Sequence, residues 1–243
     1  PIWGALIRFF DAVMGRTEPD GPRVDYYVIG EGWRSASHWP PVTRATVLHA
    51  ESASGNALSR WGDGRLVPDG RAGGNTPSTL VAQPHVPLPG DPFEYQDESS
   101  IHDRRDIACF TSEPFTSDLV LAGQPAVNVH TTADVPRHDL IAALHSVSVD
   151  GTTRVLTGYA ARLLVPTVPG SGVDWRIELR PIAARLGAGD RLRLTLSASR
   201  FPAFDRNAQN EYQRADTTYS EQRVATITIH GATLELPVLT EDH

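Results

Sequence analysis

The feature that most constrains the fold is a strict alternation of apolar and polar residues late in the chain. Within residues 190–197, Leu192, Leu194 and Leu196 alternate with arginine, threonine and serine. A period of two places the leucines on one face of a β-strand. The other face is polar and tolerates water, so the pattern predicts an antiparallel sheet covered on one side. Pro202 follows and ends the strand, because proline has no N–H to donate.

Further strand patterns fill most of the chain, with short turns between them and no helical periodicity. Asp150-Gly151 is a hairpin turn, and a last strand pair is predicted around His230-Gly231. About ten strands without intervening helices predict an all-β protein, an antiparallel jelly-roll β-sandwich like that of galactose-binding domains. The remaining strand candidates are residues 24–29, 43–50, 107–110, 119–122, 125–131, 139–149, 153–165, 175–179, 223–229 and 233–238.

Three stretches have weaker patterns. Residues 30–41 hold Trp33 and Trp39 among glycine, serine and proline and are interpreted as a corner. Residues 52–74 are interpreted as a short hairpin that runs into a polar loop. Residues 75–100 contain many prolines and predict either a long ordered crossing or a mobile surface loop.

The first residues predict the only helix. Apolar residues recur at helical spacing over residues 2–14, and Gly15 supplies a C-terminal stop. So broad an apolar face needs a partner to bury it, and we therefore expect that sequence preceding this helix is missing. The predicted organisation is a terminal helix and linker over residues 1–23, with residues 16–23 as the linker, and a β-sandwich over residues 24–243.

Composition excludes several classes of partner. The formal net charge of -7 argues against nucleic acid, since such binders concentrate lysine and arginine. No apolar run approaches the roughly 20 residues that span a bilayer, so no membrane partner is expected. Cys109 is the single cysteine, which forbids an internal disulfide, and the compartment stays open.

Motifs of hydrolytic and phosphate chemistry are absent. The sequence has no G-x-S-x-G nucleophile elbow, no P-loop and no G-x-G-x-x-G fingerprint. His130, Asp134, His138 and Asp139 crowd one short span, but Pro136 interrupts it, and a rigid zinc site is disfavoured. The alternative interpretation is that Asp134 and Asp139 accept hydrogen bonds from loop amides. We expect no cofactor and no metal, although a calcium site stays open.

Other polar and aromatic groups have two interpretations each. Residues 103–106 (DRRD) predict either a buried ion pair or a solvated strand entrance. Loop bracing is favoured over catalysis for Asp205, Arg206 and Asn207. The tryptophans would form a sugar-stacking platform if exposed and hydrophobic anchors if enclosed. Those considered are Trp33, Trp39, Trp61 and Trp175.

Several stretches together resemble one family. They are FFDAVMG, YYVIGEGWRSASHWPP, DRRDIACFTSEPFTSDLVLAGQP, LHSVSVDG, LGAGDRLRLTLSASRFPAFDRN and LELPVL. Their order is similar to that in the C-terminal domain of the X-prolyl dipeptidyl-peptidase and cocaine-esterase-like (CocE/NonD) serine hydrolases. Two departures are local: Gly189-Asp190-Arg191 stands where relatives commonly have G-H-R, and the stretch between Asn207 and Arg223 is short and polar.

The resemblance implies a division of labour. In that family an α/β-hydrolase domain carries a Ser-His-Asp triad, and the C-terminal jelly roll packs against it. The nucleophile and the triad histidine would precede the first helix, so no catalytic residue is assigned to this chain. The leading hypothesis is a non-catalytic domain that packs on the hydrolase domain of its own polypeptide and shapes the substrate entrance. Candidate entrance or interface residues are Trp33, Trp39, Phe201, Asp205, Arg206 and Asn207.

Two other hypotheses remain at this point. One is a carbohydrate-binding β-sandwich module, which requires aromatic side chains in a solvent-facing row. The other is a purely structural interaction domain. The substrate of a parent enzyme and assembly into a homo-oligomer are left open by the sequence.

Overall fold

A computed structural model describes residues 2–16, 24–68, 75–90, 97–212 and 217–240. Strands dominate these ranges, and the single α-helix is the predicted one. The elements are α1 (Ile2–Val13), β1 (Val24–Val28), β2 (Gly32–Ala36), β3 (Thr43–Glu51), β4 (Arg65–Pro68), β5 (Ser78–Ala82), β6 (Pro89–Gly90), β7 (Ile107–Ser112), β8 (Leu119–Gly123), β9 (Ala126–Ala133), β10 (Asp139–Val147), β11 (Thr153–Arg162), β12 (Gly172–Glu178), β13 (Ile182–Leu186), β14 (Arg191–Ser197), β15 (Phe201–Pro202) and β16 (Ala225–Leu239).

One large sheet, folded over on itself, builds the sandwich. Its strands follow the order β11-β10-β14-β7-β4-β3-β16-β8-β13, with β5 and the β9-β12 pair attached to β16. Pairing is antiparallel except between β4 and β7 and between β15 and β6. Leu144 and Leu194 from one half meet Val127, Ile177 and Leu234 from the other in a single apolar core. The predicted all-β sandwich with one N-terminal helix is confirmed.

The central strand β14 is buried on both faces. Leu192, Leu194 and Leu196 point into the core, as the alternation predicted. Arg193 and Thr195 are also buried, at 6% and 2% exposure. The prediction that the polar face meets water is therefore wrong. Its physical reason is a second cover formed by Leu88 and residues 97–104, which lie over the outside of β7, β14 and β10.

The last strand pair predicted around His230-Gly231 is in fact one long strand. β16 runs from Ala225 to Leu239, and one edge pairs with β9 along most of its length. Its other edge pairs first with β5 and then with β3. The register shifts between Ile229 and Gly231, so His230 is an extra residue in a β-bulge, which bends a strand without reversing it.

Five short strands lie where none was predicted, namely β2, β5, β6, β13 and β15. β2 occupies the predicted corner and pairs with β1, β5 lies in the proline-rich stretch and pairs with β16, and β13 pairs with β8. β4 lies in the predicted hairpin region and pairs with β3. Residues 69–74 and 91–96, parts of the second and third weakly patterned stretches, lie outside the described residues.

Helix α1 ends as predicted. Among the described residues, most of its apolar side chains are exposed to solvent. The N–H of Gly15 donates to Ala12 and that of Arg16 to Asp11, with Gly15 at φ +68°. These two bonds form a Schellman motif, in which glycine accepts the left-handed conformation. Five large apolar side chains of α1 are between 55% and 74% exposed. They are Trp3, Ile7, Phe9, Phe10 and Val13.

The predicted linker lies almost entirely outside the described residues, which resume at Val24. Among the described helices, none combines the length and the hydropathy needed to cross a membrane.

Candidate functional site

The loop after β14 presents an aromatic and a cationic side chain at the surface. Phe201 is 43% exposed, and the guanidinium carbon of Arg206 lies 5.5 Å from the centre of its ring. Arg206 Nη1 also donates to the carbonyl of Pro84, at 3.4 Å. The sequence placed Phe201 and Arg206 in one loop, and the structure stacks them on each other.

Buried carboxylates from distant parts of the chain hold both ends of this loop through hydrogen bonds. At its start, Arg200 Nη1 donates to Glu98 Oε1 at 2.6 Å. At its end, Asn207 Nδ2 donates to Asp139 Oδ1 at 2.7 Å. Arg162 binds the same Asp139 carboxylate and also donates to the Asp205 carbonyl at 2.8 Å. The loop is thus held in one shape by ionic contacts, which is the bracing that was predicted for its polar residues.

Glu98 is the centre of a buried polar cluster on the outside of β10 and β14. Its second oxygen, Oε2, lies 3.0 Å from His145 Nε2 and 3.8 Å from His102 Nε2. His102 Nδ1 lies 3.1 Å from Arg193 Nη1, and the two imidazole rings meet edge to face. Glu98, His102, His145 and Arg200 are at most 1% exposed.

Burial and charge together fix the protonation of this cluster. Burial alone would raise the pKa of Glu98, but the imidazoles of His102 and His145 and the charge of Arg200 outweigh it and hold that pKa far below its usual range. Burial lowers the pKa of His102 to about 3 and also lowers the pKa of His145. The cluster therefore contains one carboxylate, two neutral imidazoles and the two arginines.

Glu98, His102 and His145 have the composition of a metal-ligand set, since their ligand atoms lie within 4.8 Å of one another. Two contacts oppose that role. Arg193 can only donate, so His102 Nδ1 must accept and the proton resides on Nε2, the atom that would have to ligate. Arg200 already occupies the other oxygen of Glu98 and adds a second positive charge. The residues do not fit a cation, and their arrangement is that of an ion-pair network.

Comparison with known proteins relates this architecture to one family. Residues 19–234 match the model of the X-Pro dipeptidyl-peptidase C-terminal non-catalytic domain. The chain belongs to this family. The domain is the C-terminal, non-catalytic part of CocE/NonD-type hydrolases, as the resemblance in the sequence predicted.

Individual relatives agree with this assignment. The chain is 27% identical over 245 residues to cocaine esterase from Rhodococcus sp. (strain MB1 Bresler), covering 91% of this chain and 42% of that protein. An aminopeptidase from a marine sediment Thaumarchaeota archaeon superposes with a TM-score of 0.80 at 20% identity, over 97% of this chain and 43% of that one.

An α-amino acid ester hydrolase superposes with a TM-score of 0.77, also at 20% identity, over 96% of this chain and 44% of that one. At such identity the structural matches show the fold. The chain thus spans less than half the length of these relatives.

The four residues considered for a zinc site have separate partners. His130 pairs through Nδ1 with Asp174 at 2.6 Å, and His138 is buried against Trp175. Asp134 accepts the backbone N–H of Thr226, which lies in β16 and not in a loop as predicted. Asp139 does not accept loop amides of the backbone. It binds the side chains of Arg162 and Asn207 instead, because it lies at the start of β10, beside the end of β11.

The tryptophans of the domain have different environments. Trp33 is 75% exposed and meets Tyr27 edge to face across the β1-β2 hairpin, while Trp39 packs on Tyr26. Trp175 is enclosed, and its Nε1 donates to Thr131. A stacking platform that includes Trp175 is therefore excluded.

The DRRD segment forms ion pairs near the surface. Arg104 pairs with Asp106, and both side chains are partly exposed. Asp103 accepts from Arg60 and from the indole N–H of Trp61, a side chain that is 75% exposed. The interpretation as a solvated strand entrance fits these contacts better than a buried pair.

Proposed function

We propose that this domain packs against an α/β-hydrolase domain of its own polypeptide and shapes the entrance to that domain's substrate site. The proposal is supported by the family and by the relatives. Each of those compared is a hydrolase or peptidase by name and is more than twice as long as the matched region. The catalytic groups would then lie in the remainder of the parent protein.

The observation that carries the proposal is the uncovered apolar face of α1. Trp3, Ile7, Phe9, Phe10 and Val13 lie on a helix of 12 residues, all largely in water. Exposed apolar area costs about 25 cal/mol per Å², and contiguous patches of this kind mark interfaces. We assign residues 1–23 to the end of the hydrolase domain, whose body would cover this face.

Two further surfaces are proposed to lie near the entrance. The Trp33 hairpin exposes an aromatic pair, and the Phe201 loop exposes a ring backed by Arg206. Because Glu98 and Asp139 fix the ends of the loop, its tip can orient a substrate and exclude water without supplying a nucleophile. Trp39, Asp205 and Asn207 support these two surfaces. The exposed tryptophans Trp33 and Trp61 lie on separate elements, so glycan binding is not proposed.

The proposal that the catalytic nucleophile lies in a separate hydrolase domain is tested by covalent labelling. The isolated chain is expected to show no labelling by an active-site phosphonate, whereas the intact parent protein is expected to label at one serine, because the nucleophile lies outside this domain. Mass spectrometry of both proteins measures the adduct. Stoichiometric labelling of the isolated chain would refute the assignment.

The entrance role is tested by Phe201→Ala in the parent enzyme. The exposed ring is expected to contribute to substrate positioning, so kcat/KM should fall about tenfold, which corresponds to about 1.4 kcal/mol. Val81→Ala, on an exposed position of β5, is the matched control and should leave kcat/KM unchanged. If both variants kept the kcat/KM and the circular dichroism spectrum of the wild type, the Phe201 loop would not form part of the entrance.

A further inference from the structure

A pocket of about 690 Å³ at one end of the sandwich is lined by four arginines. We call it the arginine pocket and define it by Arg60, Arg65, Arg191 and Arg193. Its wall is completed by the end of β7, the β10-β11 turn and the loop that enters β14. The volume lies in the range of sites for small molecules. Four guanidiniums in one pocket are unexpected in a chain whose net charge is -7.

Strand pairing brings two of these arginines close together. Thr111 of β7 pairs with Arg65 of β4 on one side and with Arg193 of β14 on the other. Arg191 lies two residues before Arg193 and therefore on the same face of β14. β7 lies between β4 and β14, so Thr111 separates Arg65 from Arg193 on one face of the sheet. Positive charges brought together in this way repel one another, which costs free energy.

Arg193, at the base of the pocket, has no ionic partner among the described residues. It is 6% exposed, its Nε donates to the Thr111 hydroxyl and its Nη1 to the neutral imidazole of His102. Burial, together with the charges of Arg60 and Arg191, lowers the pKa of Arg193. A nearly buried guanidinium without a carboxylate is costly, and an anion would relieve that cost.

The acidic side chains of the pocket compensate for the arginines only in part. Asp63 accepts hydrogen bonds from Ser52 and Ser54, and Arg60 pairs with Asp103. Glu113 is 79% exposed and lies 3.8 Å from Arg65 and 3.9 Å from Arg191. These last two contacts are long and solvent-screened, so an incoming anion can replace Glu113 at little cost.

We propose that the arginine pocket binds an oxyanion, a carboxylate or a phosphate group of a small molecule, between Arg193 at its base and Arg65 and Arg191 at its mouth. Guanidinium groups bind both oxyanions through paired N–H donors. The mouth is open at the β10-β11 turn, where a Cβ on Gly151 would meet nothing within 4 Å. This site is independent of the proposed contact with a hydrolase domain.

The test is calorimetric titration of the full chain with inorganic phosphate and, separately, with succinate, at constant ionic strength in chloride. We expect saturable binding of at least one of them, and the tighter one identifies the oxyanion class. Arg191→Gln should weaken that binding about tenfold, because it removes a charge-assisted contact. Glu113→Gln should tighten it about two- to fivefold, because it removes a competing carboxylate.

Arg176→Gln is the matched control, since Arg176 is an exposed arginine on β12 that pairs with Glu235 outside the pocket. It should leave the affinity unchanged. Arg191 is partly exposed, so its replacement is expected to preserve the fold even if a change at buried Arg193 does not. Absence of saturable binding for both anions, or equal affinities for the wild type, Arg191→Gln and Glu113→Gln, would overturn the proposal.

Discussion

Replacing Glu98 with glutamine is expected to lower the free energy of unfolding by about 3–5 kcal/mol, the range for breaking a buried ion pair from one side. The carboxylate is fully buried and accepts from Arg200 at 2.6 Å and from His145 at 3.0 Å. Its loss leaves the guanidinium of Arg200 in the interior without a counter-charge. Urea unfolding followed by tryptophan fluorescence measures the effect.

Two companion variants separate the lost charge from the lost hydrogen bonds. Glu98→Gln combined with Arg200→Met removes both charges and is expected to recover part of the stability, since an apolar replacement of a buried pair can be nearly neutral. Glu235→Gln breaks the partly exposed pair with Arg176 and should cost about 1 kcal/mol or less. A loss below about 1 kcal/mol for Glu98→Gln would mean that residues 97–104 do not cover the sheet in solution.

The fold class followed from local patterns where the strands are long. β14 was predicted because its leucines recur with period two, and β10 and β11 because the Asp150-Gly151 turn separates two long apolar stretches. β2, β5 and β13 each have five residues, and glycine or small residues interrupt their patterns. The single-residue bulge at His230 resembles a turn in sequence, because a glycine next to a polar residue is common to both.

The buried cluster around Glu98 could not be predicted from the sequence, for a different reason. Alternation tells which residues of β14 share a face, but it does not tell whether that face is covered. The cover comes from the proline-rich stretch, in which Glu98 precedes His145 by 47 residues and Arg200 by 102. One signal was present, since Arg193 and His145 occupy matching positions of two adjacent strands, but their contact depends on strand pairing that is not local.

Acid is expected to destabilise this domain well before its carboxylates as a class are protonated. Burial lowers the pKa of His102 to about 3 and of His138 to about 4, and it also lowers the pKa of His145. The ordinary pKa of a histidine side chain is 6.5. Below that pH the unfolded chain binds protons that the folded domain does not, so stability falls as the pH falls.

The magnitude follows from linkage. Each histidine contributes about 1.4 kcal/mol per pH unit between its unfolded and folded pKa, so His102 and His138 together contribute about 2.8 kcal/mol per unit down to about pH 4, and His145 acts in the same direction. A domain of ordinary stability holds about 5–15 kcal/mol, and His102 and His138 alone remove about 7 kcal/mol of it between pH 6.5 and pH 4. Glu98 adds to this loss only below the ordinary glutamate pKa of 4.5, because its folded pKa is also depressed. Above pH 7 the three histidines and Glu98 do not change the free energy of unfolding with pH, since their protonation is the same in the folded and unfolded states.

Urea midpoints measured at half-unit steps from pH 8 to pH 4.5 test this expectation. His138→Gln should reduce the slope below pH 6.5 by about 1.4 kcal/mol per pH unit, because it removes the contribution of one buried imidazole. His38→Gln changes an exposed histidine in the segment after β2 and should leave the slope unaltered. A flat stability profile between pH 7 and pH 5 would mean that the three imidazoles are not buried in the folded domain. The part of the slope due to His102 and His145 therefore reports the same cover over β14 as the Glu98 variant, through protons instead of a side-chain replacement.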